Sequence, residues 1–312
     1  SINCVELDEK RVCIYLKVRY MRRIPESELI INSDGSVFHL HLRPEQLADT
    51  VILVGDQGRV DIVASFFDEG SIEVDLQSRE FHTITGKYNG KRISAISTGI
   101  GPDNIDIVMT ELDALVNVDF ETRMEKAEKR SLTILRIGTC GAVQPEIPLG
   151  GFIFSQMSLG FDGLLNWYKD RDKVACKEIE EAFVKHMDWP QRIGRPYFVE
   201  SAPELIERFK DSTIKGLTMS APGFYGPQGR CVRLTPAIDD LIMKLEQFRF
   251  EDWKVTNIEM ESSALVSLAT LMGHKAATVC CAIANRYAKE SQPDYKPFIH
   301  RLVKLSLDNL TK

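Results

Sequence analysis

The chain has 312 residues, 44% of them hydrophobic, and a formal net charge of −6. That is apolar material for one large α/β domain or two small ones, and the acidic balance speaks against a dedicated nucleic-acid or membrane-surface binder, which carries a basic excess. Seven cysteines, an odd number with no C-x-x-C pair, suggest neither a disulfide framework nor a zinc site and fit reduced cytoplasmic thiols.

No apolar run approaches the roughly 18 residues that cross a bilayer. The opening SINCVELDEKRVCIYLKVRYMRR is too charged for a signal peptide, so a cytoplasmic protein is expected. Residues 1–20 read as an extension ahead of a single domain over residues 21–312, with Met21 an alternative start. VILV (51–54) is a short continuous apolar run, the pattern of a strand buried on both faces. GDQGR turns the chain, and Val60, Val63, Ala64 and Phe67 then fall at i, i+3, i+4 and i+7, one face of a helix. RISAIS (92–97) gives a second strand ending in TGIGP, residues 107–116 a helix, LTILRIG (132–138) a third strand ending in TCGAV, and GGFIFSQ (150–156) a fourth. ETRMEKAEKR (121–130) and the polar stretch from about Asn166 to Arg195 read as loop insertions. Met260, Ala264, Leu268 and Leu271 form one helical stripe, with Gly273 placed to cap it. AATVCCAI (276–283) is a core strand, and an amphipathic helix over 298–310 closes the chain. Strands alternating with helices predict an α/β fold, a largely parallel or mixed sheet between helix layers, with ligands held at the strand-end loops.

Four stretches carry chemistry. In GDQGR, Gly55 leaves backbone N–H groups open to an anion and Arg59 follows at a helix start; the same text is also an ordinary turn with a surface arginine. In RIGTCG, Arg136 lies inside an apolar strand, where a guanidinium requires an anionic partner. Arg59, Arg136 and Thr139 suit a phosphate dianion, and the alternative is an internal ion pair of Arg136 with an acid such as Asp56. In EMES, Glu259 and Glu261 stand at a strand-to-helix junction. One of them would grip vicinal sugar hydroxyls, or both simply complement a helix dipole. In PGFYGPQGR (222–230), Gln228 and Arg230 could read the polar edge of a planar base against an aromatic such as Phe224, where the plain alternative is a surface loop.

Taken in order, VFHLHL (37–42), VILVGDQGRV (51–60), SREF (78–81), STGIG (97–101), LRIGTCGAVQP (135–145), FYGPQGR (224–230) and NIEMESSALVSLA…IANR (257–286) resemble the nucleoside phosphorylase superfamily, on its uridine phosphorylase branch. The resemblance covers roughly residues 30–310 and implies a three-layer αβα fold around a mixed, barrel-like sheet. It implies that Gly55, Arg59, Arg136 and Thr139 bind phosphate, joined by Arg79 from a neighbouring subunit. It gives the ribose to Met260 and Glu261, with His39 of a neighbour at the 5′-hydroxyl, and the base to Phe224, Gln228, Arg230, Ile283 and Ala284. It further implies a homo-oligomer, a dimer or a trimer of dimers, with sites shared across the dimer interface. No cofactor is required, inorganic phosphate is the co-substrate, and a potassium ion near Glu80, Ile100 and Asp103 is an option seen in some relatives.

Purine-specific relatives carry an Asp after the last core strand to protonate the leaving base. Here the text is Ala284-Asn285-Arg286, which favours a pyrimidine. The expected activity is phosphorolysis of uridine, with deoxyuridine and thymidine as further candidate substrates, in pyrimidine salvage. The alternatives are a purine phosphorylase or nucleosidase of the same fold, and a non-catalytic nucleoside-binding module.

Overall fold

Every residue of strand β1 (Thr50–Val54) is buried, because both its faces are covered: Val51 and Leu53 enter one apolar cluster, Ile52 and Val54 another. Such a strand belongs in the middle of a sheet between two helix layers. The computed structural model describes residues 22–312, so the expected extension over 1–20 and the candidate start at Met21 lie outside the described residues.

After β1 come α1 (Gln57–Ala64), β2 (Val74–Ser78), β3 (Phe81–Tyr88), β4 (Lys91–Ser97) and α2 (Pro102–Asn117). A small hairpin, β5 (Val118–Asp119) and β6 (Met124–Glu125), precedes the long β7 (Thr133–Ala142) and β8 (Phe152–Gly160). Then follow α3 (Lys177–Met187), β9 (Tyr197–Glu200), α4 (Pro203–Phe209), β10 (Ile214–Ser220) and α5 (Leu241–Gln247). The chain ends with β11 (Asn257–Glu259), α6 (Ser262–Met272), β12 (Lys275–Asn285), β13 (Glu290–Ser291) and α7 (Lys296–Thr311).

The main sheet runs β13-β12-β8-β10-β11-β7-β1-β4-β3-β2, and β12 also pairs with β7, closing five strands into a barrel. Pairing is mixed: β1 is parallel to β4 and β7, whereas β11 is antiparallel to β7 and β12 to β8. α2 and α6 cover one face through Val108, Leu112, Leu265 and Leu268, and α1, α4 and α7 the other through Val63, Phe209 and Leu302. The α/β, barrel-like expectation therefore holds, and so do the strands and helices named from the sequence, with shifted ends. The helix expected from 107 begins at Pro102, and the third strand continues to Ala142.

The two insertions are not plain loops. Residues 121–130 contain β6 of the hairpin. Within 166–195 lies α3, whose Ile179, Phe183 and Met187 pack into a third apolar cluster. Its Glu180 is buried between Arg171, at 2.7 Å, and Arg195, at 2.6 Å. The spacing i, i+4, i+8 marks one helix face, but charged neighbours hid it.

Candidate active site

β1 and β4 end at one level, Val54 lying opposite Ser97, and Val54 also lies opposite Ile137 of β7, which runs on to Ala142. The loops beyond them are zipped together: Thr98 N donates to Val54 O at 2.8 Å and Gly99 N to Gly55 O at 2.9 Å. With the β11–α6 junction, the end of β12 and the 224–230 loop, they enclose a cavity of about 670 Å³. Ligand sites of open α/β sheets form at such carboxyl ends. A larger cavity of about 880 Å³ lies behind the 224–230 loop, but no carboxylate, histidine or cysteine lines it.

Gly55, Arg59, Arg136 and Thr139 all line the smaller cavity. Asp56 caps α1 by accepting from Arg59 N at 3.0 Å and pairs with the Arg59 guanidinium at 3.2 Å. Burial pushes Arg59 below its ordinary value, against the pull of Asp56 and with the help of nearby Arg136. The Thr139 hydroxyl has no hydrogen bond among the described residues. Nothing in the protein crowds Gly55, whose added Cβ would meet only Gly99 O at 3.9 Å.

Arg136 is buried and does form the internal ion pair, though not with Asp56. Nη1 donates to Glu259 Oε2 at 3.1 Å and Nη2 to Glu261 Oε2. Burial works against its charge, but Glu261 and then Glu259 outweigh that and hold it above the ordinary value. Gly138 makes the arrangement feasible, since a Cβ there would overlap Arg136 Nη1 and come within 3.0 Å of Cys280 Sγ.

Glu259 and Glu261 divide the work at the start of α6. Glu259 accepts from Ser220 Oγ at 2.5 Å and from Glu261 N and Ser262 N at 3.0 Å, capping the helix. Burial raises Glu259, Arg136 opposes that, and Glu261 adds to it. Glu261 Oε1 accepts from Gly101 N at 2.8 Å, and its carboxylate lines the cavity with half-buried Met260.

Phe224, Gln228, Arg230, Ile283 and Ala284 line it as well. Arg230 donates to Gln228 Oε1 at 2.6 Å and to Phe224 O at 2.7 Å, and its guanidinium carbon lies 3.8 Å from the Phe224 ring centroid. Gln228 is buried, and Arg230 is its neighbour through this bond rather than by chance of sequence. Burial, and then Arg286, lower Arg230 to about 10. Asn285 does not line the cavity. Its amide donates to Gln144 O at 3.1 Å and Ile147 O at 3.2 Å, and its oxygen accepts from Tyr287 N and Ala288 N.

His39 and Arg79 do not line their own chain's cavity. They are nonetheless gathered around one ring: the Arg79 guanidinium is 5.2 Å from the Phe38 centroid, and the His39 ring is 4.9 Å from it. Of the three candidate cation neighbours, Ile100 reaches the cavity, while Glu80 and Asp103 are exposed and do not. Sequence reasoning missed the Ser291–Gln292–Pro293 wall with Tyr295, and the half-buried Arg286, which lines an adjoining pocket with Arg230 and whose Nη1 has no partner among the described residues. The turn-forming SQPDY before the last helix was the available signal for the first.

The chain matches the family profile described as "Phosphorylase superfamily" over residues 49–307. It is 30% identical over 260 residues to a uridine phosphorylase from Thermococcus kodakarensis, covering 82% of this chain and 80% of that one. It is 27% identical over 241 residues to a DeoD-type purine nucleoside phosphorylase from Vibrio cholerae, covering 73% and 96%. A solved nucleoside phosphorylase of Trypanosoma brucei, described as showing uridine phosphorylase activity, superimposes with a TM-score of 0.82 at 27% identity, covering 91% and 99%.

Proposed function

The chain belongs to the phosphorylase superfamily, and from that premise we propose that it cleaves uridine with inorganic phosphate to uracil and ribose 1-phosphate. The observation that carries the choice of base is the Gln228–Arg230–Phe224 unit lining the cavity, with Asn285 locked away from it. Gln228 offers a donor and an acceptor and Arg230 further donors, a match for a pyrimidine edge of carbonyls and N–H. The purine relative keeps inosine in view as the competing substrate.

In this reading phosphate lies among Gly55, Arg59, Thr139 and the remaining N–H groups of Arg136. Nη2 of Arg136 keeps a second hydrogen beyond its bond to Glu261, Nη1 also faces Cys280 Sγ at 4.0 Å, and Nε has no partner among the described residues. Glu261 accepts from the ribose hydroxyls while Gly101 N–H and Arg136 fix its orientation. A phosphate oxygen forms the bond to C1′ as the C1′–N1 bond breaks. The departing electron pair spreads over the pyrimidine ring and its carbonyl oxygens, where Arg230 and Gln228 donate. Aimed donors of this kind supply ~3–4 kcal/mol each in a dry site. The sugar passes through an oxocarbenium-like state that the phosphate charge favours, and water protonates the released uracil anion. Holding the two substrates together supplies much of the remaining acceleration.

Charge supports a shared site. Within one chain the guanidiniums of Arg59 and Arg136 face the three carboxylates Asp56, Glu259 and Glu261. Two positive against three negative charges leave a deficit for a phosphate dianion. The exposed Arg79 of a second copy would correct it, and His39 stands beside it on the same patch, suited to the 5′-hydroxyl. The active form is accordingly a homo-oligomer, a dimer or a trimer of dimers. Potassium belongs to the same reading: Glu80 and Asp103 are exposed carboxylates without an ion pair among the described residues, flanking Ile100. No described helix is long and apolar enough to cross a membrane, and pyrimidine salvage in the cytoplasm is the setting the reaction suggests.

The test is uracil release from uridine with and without phosphate, with inosine and thymidine in parallel. Uracil formed only with phosphate supports phosphorolysis. Equal release without phosphate means a hydrolase, and inosine cleaved with uridine untouched overturns the base assignment.

A further inference from the structure

Glu111 lies on α2 and plays no part in its own chain's cavity. It is a buried carboxylate with no arginine or lysine partner among the described residues; every recorded bond goes to one short turn. Its Oε1 accepts from His39 N at 2.9 Å and its Oε2 from Leu40 N at 2.8 Å. The His39 ring adds a third bond, Nδ1 to Oε1 at 2.7 Å. Burying a carboxylate is costly unless its lone pairs are satisfied, and here the VFHL turn satisfies them.

The arrangement fixes chemistry as well as position. A carboxylate accepts only, so His39 Nδ1 carries the hydrogen and donates it. Nε2 is left facing away from Glu111, without a partner among the described residues, as the atom available to a ligand. The ring is steadied from the sides by Phe38, 4.9 Å away, and Phe81, 6.5 Å away, both edge-on.

We propose that Glu111 is a positioning residue: it sets the tautomer and direction of His39 so that Nε2 accepts a hydrogen bond from the 5′-hydroxyl of the nucleoside in the adjoining subunit's site. This rests on the reading of His39 as a group lent to a neighbour. The same helix is capped by Gly101, whose N–H holds Glu261 at 2.8 Å. α2 thus braces a ribose-binding carboxylate at one end and the lent histidine about three turns later.

The experiment compares kcat/KM for uridine and 5′-deoxyuridine in the wild type, His39→Ala, Glu111→Gln and the double variant, with phosphate KM and thermal stability measured alongside. Glutamine keeps one acceptor but turns an N–H₂ toward backbone N–H groups. The expected result is a fall of about tenfold in the uridine over 5′-deoxyuridine ratio for Glu111→Gln, the scale of one lost hydrogen bond. The value for 5′-deoxyuridine and the phosphate KM should be unchanged, and the double variant should fall no further than His39→Ala. If Glu111→Gln does not fold, Glu111→Asp, which retains the charge one methylene short, gives the same comparison. A folded Glu111 variant with an intact ratio, where His39→Ala collapses it, overturns the positioning role. A ratio untouched by His39→Ala itself overturns the underlying assignment of His39, and equal losses on both nucleosides would make Glu111 merely structural.

Discussion

Replacing Arg230 with alanine removes three things at once. These are the donor to Gln228 Oε1 at 2.6 Å, the donor to Phe224 O at 2.7 Å, and the cation 3.8 Å from the Phe224 centroid. The loop keeps its backbone bonds, including Arg230 N to Tyr225 O at 2.9 Å, so the enzyme should fold. The loss of one aimed donor to the departing base is ~3–4 kcal/mol, which is about 10² to 10³-fold in kcat. In the proposed reading phosphate sits among Arg59, Arg136 and Thr139, none of which bonds to Arg230, so its equilibrium affinity should change by no more than about twofold. The assay is uracil release at saturating phosphate together with direct phosphate binding. A second nucleoside sharpens it: 5-fluorouridine releases a less basic anion, which needs less stabilisation, so the penalty on kcat should shrink. Equal losses in kcat and phosphate affinity would remove Arg230 from the base site. Identical penalties with the two nucleosides would refute its role in stabilising leaving-group charge.

Gly138→Ala places a Cβ onto Arg136 Nη1 and 3.0 Å from Cys280 Sγ; overpacking against a clamped guanidinium should cost ~1–3 kcal/mol in thermal or denaturant unfolding and raise the phosphate KM. Asn285→Asp should not confer inosine cleavage, because it sets a carboxylate against the Gln144 and Ile147 carbonyls that the amide now serves. It should instead lower stability by ~1–3 kcal/mol, and efficient inosine phosphorolysis by a stable variant would contradict the placement of this side chain. Arg79→Ala and Glu261→Ala should each be nearly inactive alone yet regain activity when unfolded together and refolded, since a mixed pair assembles one intact site; no recovery, with mixed oligomers verified, would remove Arg79 from the neighbouring chain's site.

The parts legible in the sequence were those whose physics is local. An apolar run such as VILV or TVCCAI can only be a strand covered on both faces, and a glycine after a helical stripe announces a cap; Gly273 does have the left-handed φ of 84°. β3 was harder. Its first six residues are buried, yet they include His82, Thr83 and Thr85, which break any apolar pattern. Two of them find polar partners elsewhere: Thr85 Oγ1 meets Ser94 Oγ at 2.7 Å, and His82 Nε2 meets Asp75 Oδ1 at 2.8 Å. α3 escaped notice for the opposite reason, a correct spacing submerged in charge.

Arg136 shows where sequence reasoning runs out and what the fold adds. A guanidinium in a strand demanded an anion, and both ligand and protein could answer. The protein does answer, through two glutamates 123 and 125 residues further along the chain, brought to it by the antiparallel pairing of β11 with β7. That pairing does not exclude phosphate; it changes what phosphate requires. An arginine already matched to carboxylates supplies direction more than net charge, because its attraction for a new anion is offset by the repulsion of its partners. Arg59, with its own Asp56, is in the same position. A dianion therefore needs a further cation; Arg230 has no carboxylate partner either but is committed to Gln228 and Phe224, whereas Arg79 is exposed, has no carboxylate partner among the described residues and does not line its own chain's cavity. In the proposed reading Arg79 of one copy makes up the deficit at the site of another, which is the physical reason why a site built from this chain should require two copies of it.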